Sequence, residues 1–318
     1  MSNQLFDNTV CLAITFHRAG QHRRIRRGEA EVVSVGNGGN KPDQGQFTIG
    51  GGDKSDQGQF SVNKRIFSSD HYQAAMSIAH KFSAWLHNRS VPCPLKRGTE
   101  LIPVTMLDEV YAELDQAQAE YGIEADALLA EYEQLKQEAQ QRLKDLYRED
   151  DYATPEQLRR AFWVERRMFD FSPPGEAKLS EAVYQQERNR WQETFAEAEQ
   201  EVRLALRESM LSLVSHLAEK LQPLSDGKKV VLHESAVNKV VEFLDLFDRR
   251  NVLNDQELKV LVAKARQVLN GDGMMTEALR RDETVRDIVS RRMEEVKTGL
   301  NFLIKNGPAR VISFDEED

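Results

Sequence analysis

The chain has 318 residues, of which 40% are hydrophobic and 30% charged, and its net charge is −9. This length fits one large domain or two ordinary ones, and the high charge content is typical of long solvated helices. Two cysteines, Cys11 and Cys93, are too few for a disulfide framework or a cysteine-based zinc site, and the N-terminus lacks a signal or membrane segment. We therefore predict a soluble, cytoplasmic protein.

The charge is distributed unevenly along the sequence. Within residues 104–150, acidic residues exceed basic ones by the full net charge of −9, so the remainder of the chain is neutral overall. This asymmetry is compatible with head-to-tail self-association or with an extended charged partner. A basic segment precedes the acidic stretch and contains Arg18, Arg23, Arg24, Arg26 and Arg27.

The first elements read as strands. Residues 9–16, TVCLAITF, are short, apolar and rich in β-formers, and residues 29–35 have a similar composition. The motif DQGQF then occurs twice, at residues 43–47 and 56–60. The polar–apolar alternation of GQFTIG and GQFSVNKRIF, with turn residues at 50–53, favours a hairpin of two short strands.

Two other interpretations of this doubled segment stay open. Its glycines and Lys54 resemble the end of a phosphate-binding loop, but Asp53 separates Gly52 from Lys54 and no helical pattern follows. The abundance of Gly, Asn, Asp and Gln also permits disorder.

Helical periodicity begins at Ser69, which with Asp70 is a suitable N-cap. From residue 107 to 146, apolar residues recur at every third or fourth position, which is typical of a coiled-coil seam. Residues 179–221 carry a second stripe of similar length. Antiparallel packing is the simplest way to bury both stripes, so we predict a long coiled-coil stalk.

Further helices follow these patterns. Thr154 and Pro155 predict the start of a helix that continues through PEQLRRAFWVERRMFDF. Three more helices are expected within residues 233–249, 254–271 and 276–307, the second opening with Asn254 and Glu257 in a capping-box arrangement. The final ARVISF has a strand pattern, and we expect it to join the N-terminal strands.

Together the patterns predict a predominantly helical α+β protein. Its small antiparallel sheet would combine the N-terminal strands with the C-terminal strand, beside an antiparallel coiled-coil stalk and a helical bundle. We place an N-terminal β segment with the duplicated hairpin at residues 1–68 and a helical domain with the coiled coil at 69–222. Residues 223–318 would form the C-terminal bundle and the returning strand.

The sequence contains no catalytic constellation. His80 and His87 share a helix face, but neither an HExxH motif nor a further ligand accompanies them. Cys93 lies between two prolines, and a nucleophilic role would require a base that sequence cannot place. We therefore predict no catalytic residue, no metal site and no cofactor.

The candidate binding residues are arginines. The first cluster could bind nucleic-acid phosphates, dock on an acidic helix of this or a neighbouring subunit, or be a solvated turn. A second basic-aromatic set could use Phe162 and Trp163 for stacking, although helical spacing favours core packing for these rings. The basic members of this second set are Arg159, Arg160, Arg166 and Arg167.

Three segments carry a resemblance to a known family: LAITFHRAGQHRRIRRGE, SVNKRIFSSDHYQAAMSIAHKFSAWLHNRSVPCP and GTELIPVTMLDEVYAELDQAQAEYG. They resemble an uncharacterised bacterial family carried by phages, integrative elements and conjugative plasmids. The resemblance covers a little more than the first half of the chain, with the doubled DQGQF as an insertion. Members are often encoded beside a MoxR-type AAA+ ATPase and a von Willebrand A-domain protein, which implies an ATPase-driven assembly or remodelling system.

We therefore expect a non-enzymatic scaffold or adaptor of a mobile genetic element. It would form a homo-oligomer or act with the MoxR-type AAA+ ATPase and the von Willebrand A-domain protein, without a membrane partner. The alternative is a nucleic-acid-binding protein in mobile-element replication, recombination or anti-phage defence. A third class is an enzyme whose site is assembled in space around Cys93 or around His80 and His87.

Overall fold

The structure is a computed structural model that describes residues 4–25, 48–50, 61–171, 180–222, 234–269, 279 and 282–306. Over these residues the protein is mostly helical and contains a small antiparallel sheet of four strands, in agreement with the predicted fold class. No helix among them combines the length and apolar composition needed to cross a bilayer.

The described elements are numbered here in chain order. The strands are β1 (Thr9–His17), β2 (His22–Arg24), β3 (Thr48–Gly50), β4 (Ser61–Arg65), β5 (Val91–Pro92), β6 (Glu100–Pro103) and β7 (Trp163–Phe169). The helices are α1 (Gln4–Asp7), α2 (Asp70–His87), α3 (Leu107–Leu143), α4 (Pro155–Ala161), α5 (Glu181–Leu221), α6 (Glu234–Arg250), α7 (Gln256–Leu269) and α8 (Glu283–Lys305). The predictions for α2, α3, α5 and α6 are confirmed to within a few residues.

The strands form two sheets. The larger has the order β5-β6-β1-β7, and Cys11 of β1 lies opposite Leu101 of β6. The smaller has the order β2-β4-β3, in which Ile49 of β3 pairs antiparallel with Val62 of β4. The two DQGQF copies and the predicted turn at residues 51–53 lie outside the described residues, so the hairpin expected for the doubled segment stays a prediction.

The neighbours of β1 differ from those expected. They are β6 and β7, which come from the middle of the chain. The helix predicted to continue through WVERRMF is wrong: α4 ends at Ala161 and Trp163–Phe169 form β7. Aromatic and β-branched residues favour a strand, and pairing with the edge of β1 stabilises the extended conformation over the helical one. The predicted strands at residues 29–35 and in ARVISF lie outside the described residues.

The chain divides into two compact units. The first unit comprises Met1–Ala13, Trp85–Val110 and Arg167–Asp318, and the second comprises Ile14–Ala84 and Tyr111–Arg166. The three-domain division expected from sequence stays a prediction.

Each unit buries the apolar stripe of one long helix. In the second unit, Tyr121, Leu128 and Tyr132 of α3 share a core with Tyr72 of α2 and with Phe67. In the first unit, α5 packs against α6 and α8, and α7 contacts both of these helices. Residues of all four helices form one core. The antiparallel coiled coil of α3 with α5 is therefore not confirmed, because each described stripe is covered within its own unit.

A buried arginine joins three helices of the first unit. Arg207 of α5 is only 7% exposed, and its Nε donates to Asp255 Oδ2 at 2.7 Å. Its other nitrogens donate to Glu257 Oε2 and to the Leu303 carbonyl, each at 2.9 Å. Asp255 also caps α7, because its Oδ1 accepts from the Leu258 N–H at 3.0 Å.

Two predicted helix starts are corrected by these contacts. The N-cap of α7 is Asp255 rather than Asn254, and Glu257 binds Arg207 instead of completing a capping box. The helix expected from residue 276 has its described start at Glu283, where Asp282 accepts hydrogen bonds from the N–H groups of Thr284 and Val285.

The Asp255 site predicts a pH-dependent stability. Burial alone would raise the pKa of Asp255, but hydrogen bonds from Arg207 and from the Leu258 N–H outweigh it and hold the pKa below its ordinary value. The carboxylate therefore stabilises the fold above the ordinary pKa of about 3.9, and this contribution is lost as the pH falls through the lower, folded-state pKa. We expect Asp255→Asn to lower the unfolding free energy by about 3–5 kcal/mol near neutral pH, and by less in acid.

Urea denaturation across a pH series measures this effect. Asp245→Asn is the matched control, because Asp245 is an exposed carboxylate on α6. Equal losses for the two variants at neutral pH would contradict the assigned role of Asp255.

Candidate functional site

The predicted arginine cluster falls on a strand of the smaller sheet. Arg23 and Arg24 are exposed on β2, opposite Lys64 and Asn63 of β4. The next residue of β4, Arg65, lies opposite His22. The antiparallel register thus adds a third arginine that is distant in sequence.

A fourth arginine comes from the end of α3. Arg142 is exposed, and its Nη2 donates to the Arg65 carbonyl at 2.9 Å. Burial lowers the pKa of His22, and the charge of Arg65 lowers it further. We call Arg23, Arg24, Arg65 and Arg142 the basic face, as a name for the arginines around β2 and β4. Side chains alternate along a strand, so Arg24 and Arg65 lie on one side of the sheet, and Arg23, opposite Lys64, lies on the other.

The arginines of the basic face make no ion pair with any carboxylate of the described residues. The Arg65 Nε is also buried without a hydrogen-bond partner there. Lys64 on the same strand, in contrast, has a carboxylate as its partner. It is 2% exposed, its Nζ lies 2.7 Å from Asp151 Oδ2, and it donates to the Leu146 carbonyl at 2.6 Å. The fold therefore neutralises the buried cation of β4 and leaves its outer neighbours uncompensated.

Arg18 lies before β2 rather than on it. It is exposed, and its Nη1 is 2.9 Å from the Met76 Sδ of α2. The preceding His17 stacks on Trp163, with ring centroids 4.1 Å apart and planes at 3°. Trp163 remains 47% exposed, which contradicts the core packing expected for this ring. Arg26 and Arg27 lie outside the described residues.

The second predicted patch is spread over two elements. Arg159 and Arg160 lie on α4 and form ion pairs with Asp126 at 3.3 Å and Glu156 at 2.5 Å. Arg166 of β7 places its guanidinium 4.5 Å from the ring centre of Tyr111, and Arg167 follows it on the same strand. Each of these arginines has an intramolecular partner, whereas no arginine of the basic face forms an ion pair within the described residues.

The acidic helix α3 presents its carboxylates to solvent. Its apolar stripe is buried, whereas many of the intervening acidic side chains are exposed. The exposed carboxylates on the part of α3 within the second unit are Asp115, Glu120, Asp126, Glu133 and Glu138.

The candidate catalytic residues lie on different elements. Cys93 is buried in a core beside Cys11 and Leu101, and a hydrogen bond with Cys11 lowers the pKa of the Cys93 thiol. His80 is exposed on α2, and His87 lies 3.8 Å from Glu100, which raises the pKa of His87. Within the described ranges, no group of three His, Cys, Asp or Glu residues could hold a metal ion.

Sequence reasoning missed Arg65 and Arg142. Arg65 could have been found from the hairpin prediction, since NKRIF places cations at the end of a strand that must pair with a neighbour. Arg142 carried no such indication, because a lone arginine near the end of an acidic helix is expected from the helix dipole alone.

The ion pair of Lys64 with Asp151 anchors β4 beneath the basic face. We expect Lys64→Met to cost about 3–5 kcal/mol, because it leaves the Asp151 carboxylate buried without its counter-ion. The double variant Lys64→Met, Asp151→Leu should be much less destabilised. A double-mutant cycle from chemical denaturation measures the coupling, and additive effects would contradict a direct interaction.

No protein-family model, no curated protein and no solved structure matches this chain. The resemblance to the mobile-element family therefore stays a prediction. The function has to be inferred from the residues of this chain.

Proposed function

We propose that the chain is a non-enzymatic scaffold or adaptor that binds acidic protein surfaces through the basic face. The observation that supports this proposal is the set of arginines around β2, β4 and the end of α3 that form no ion pair among the described residues. Like charges brought together repel one another, and an external anionic surface relieves this repulsion. Complementary charge also accelerates encounter and fixes the orientation of the partner.

The best available partner surface is the exposed acidic face of α3 on a second copy of the chain. Its carboxylates project from a helix of 37 residues, which presents a long row of negative charge. A basic face on one copy and an acidic face on the next would give head-to-tail association, so we infer a homo-oligomer. The family resemblance would add a MoxR-type AAA+ ATPase and a von Willebrand A-domain protein as partners in a mobile-element system.

Light scattering at low and high salt tests this function. We expect the wild-type chain to form a larger species at low salt that dissociates as salt screens the charges. Arg23→Ala, Arg24→Ala and Arg65→Ala combined should weaken association by roughly ten- to a hundredfold, because exposed charge pairs contribute up to about 1 kcal/mol each.

The matched control removes Arg160 and Arg190, which form ion pairs with Glu156 and Glu187, and the exposed Arg291, whose Nε donates to the Asp287 carbonyl. It changes the net charge equally but leaves the basic face intact. A monomer that is indifferent to salt, or equal weakening by both triple variants, would contradict self-association through the basic face.

A nucleic-acid-binding function is the second candidate. It is favoured by Trp163, which is exposed and stacks on His17 next to Arg18. Exposed aromatic rings beside cations are the surfaces on which unpaired bases stack. Arginines without ion pairs would contact the phosphates, which makes binding steeply dependent on salt.

Fluorescence anisotropy with a single-stranded oligonucleotide separates the two functions. If the second candidate holds, Trp163→Ala should weaken binding by about 1–3 kcal/mol per stacked base. The basic-face triple variant should also reduce the salt dependence of binding. Absence of binding at low salt would exclude this candidate and leave the acidic protein partner.

A further inference from the structure

A cleft of about 520 Å³ lies in the first unit, between α5, α6 and the segment after α2. Its volume is within the range of small-molecule sites. On the α5 side the lining contains the hydroxyls of Ser209 and Ser212, apolar groups and Glu208. On the α6 side it contains Lys239, Glu242, Phe243 and Arg250, and Asn88 comes from the segment after α2.

Arg250 is the unusual member of this lining. It is the last residue of α6 and only 5% exposed, and its Nη2 donates to the Ser90 carbonyl at 2.9 Å. Its Nε is buried and has no hydrogen-bond partner in the described chain. No carboxylate of the described residues forms an ion pair with it, whereas the preceding Arg249 is paired with Glu109 at 2.8 Å.

The carboxylates that could have neutralised Arg250 are held by other donors. Glu242 accepts from Arg89 Nη1 and from Asn88 Nδ2, each at 3.3 Å. Glu100 accepts from the Ser90 hydroxyl at 2.8 Å and lies near His87. The charge of Arg250 is therefore left without a direct counter-ion.

The protonation state of Arg250 is not in question at neutral pH. Burial lowers its pKa to about 10, against the opposing fields of Glu100 and Glu242. A guanidinium that stays charged while nearly buried carries a large desolvation cost, and an anion at hydrogen-bond distance is the usual compensation. The cleft is the open space from which such an anion can reach it.

We propose that this cleft binds a small organic anion that presents a carboxylate or phosphate to Arg250 and an apolar body to Phe243 and Leu213. The Asn88 amide, the Ser212 hydroxyl and the Lys239 ammonium supply further polar contacts. This site is independent of the basic face, which belongs to the second unit.

The charge of the lining restricts the ligand. Glu208 and Glu242 also line the cleft. These carboxylates would repel a ligand with several negative charges, even though Arg250 and Lys239 attract it. A compact ligand with a single acidic group fits this balance better than a polyphosphate. Phe243 favours a planar apolar body, since aromatic rings stack in offset or edge-to-face arrangements.

Isothermal titration calorimetry on the full chain tests the proposal with benzoate, phenyl phosphate and inorganic phosphate, against sodium chloride at equal ionic strength. We expect the two phenyl-bearing anions to bind more tightly than inorganic phosphate or chloride. Tighter binding of benzoate would assign the site to carboxylates, and tighter binding of phenyl phosphate would assign it to phosphates. Either result supports the site.

The variants examine the cleft itself. Arg250→Met should weaken binding of the preferred anion at least tenfold, and circular dichroism checks its folding. Ser212→Trp, at an exposed position of the lining, should block the cleft even if Arg250→Met does not fold. Lys239→Gln should weaken binding severalfold, whereas Lys259→Gln, an exposed lysine of α7 outside the lining, should not.

Two results would overturn the proposal. One is wild-type binding of benzoate and phenyl phosphate that is no tighter than binding of chloride. The other is unchanged affinity in Ser212→Trp, since blocking the cleft must affect any ligand that occupies it.

Discussion

Burial of two long apolar stripes, one on α3 and one on α5, is the constraint on which both units depend. Helices of this length and charge owe their stability to packing on one face more than to intrinsic propensity. The stripe of α3 is covered by α2 and its flanking residues, and the stripe of α5 by helices that follow it in the chain. Because packing consumes the apolar side chains, the outward faces of these helices are left with charge. Recognition by this protein is therefore expected to be electrostatic.

The cations discussed above fall into three groups that differ in burial and in whether a carboxylate pairs with them. The comparison indicates which cations are available to bind a partner. Arg207 and Lys64 are buried, and each has a carboxylate at 2.7 Å. The arginines of the basic face form no ion pair within the described residues, and water can screen the exposed ones. Arg250 is buried with no carboxylate of the described residues at ion-pair distance, although its guanidinium lies 5.4 Å from the ring centre of Phe243, and this is the costliest of the three situations. A cation that is paired with a carboxylate of the same chain has a structural role. A cation without such a carboxylate is available to bind an anionic group of another molecule.

Much of the helical architecture could be predicted from sequence, because apolar periodicity is a local property. The strand β7 could not be predicted in this way, because the apolar spacing of WVERRMF is compatible with both a helix and a strand. Only pairing with the edge of β1 selects the strand. The arginines of β2 are visible as a run, but Arg65 and Arg142 join them through strand register and a helix end. Arg250 reads as an ordinary basic residue at a helix C-terminus. Its burial and its missing counter-ion depend on neighbours distant in sequence, which single-sequence patterns do not reveal.

The segment order of the two units affects how the chain folds during synthesis. The second unit is complete once Arg166 has left the ribosome, whereas the first unit needs Arg167–Asp318 to join Met1–Ala13 and Trp85–Val110. Domains generally fold as they emerge, and contacts between distant segments form slowly. Leu5 of α1 and Leu12 of β1, which are buried in the folded chain, therefore lack part of their unit while the chain is still growing. Nascent chains of this protein should be substrates for chaperones until the last helices have been made.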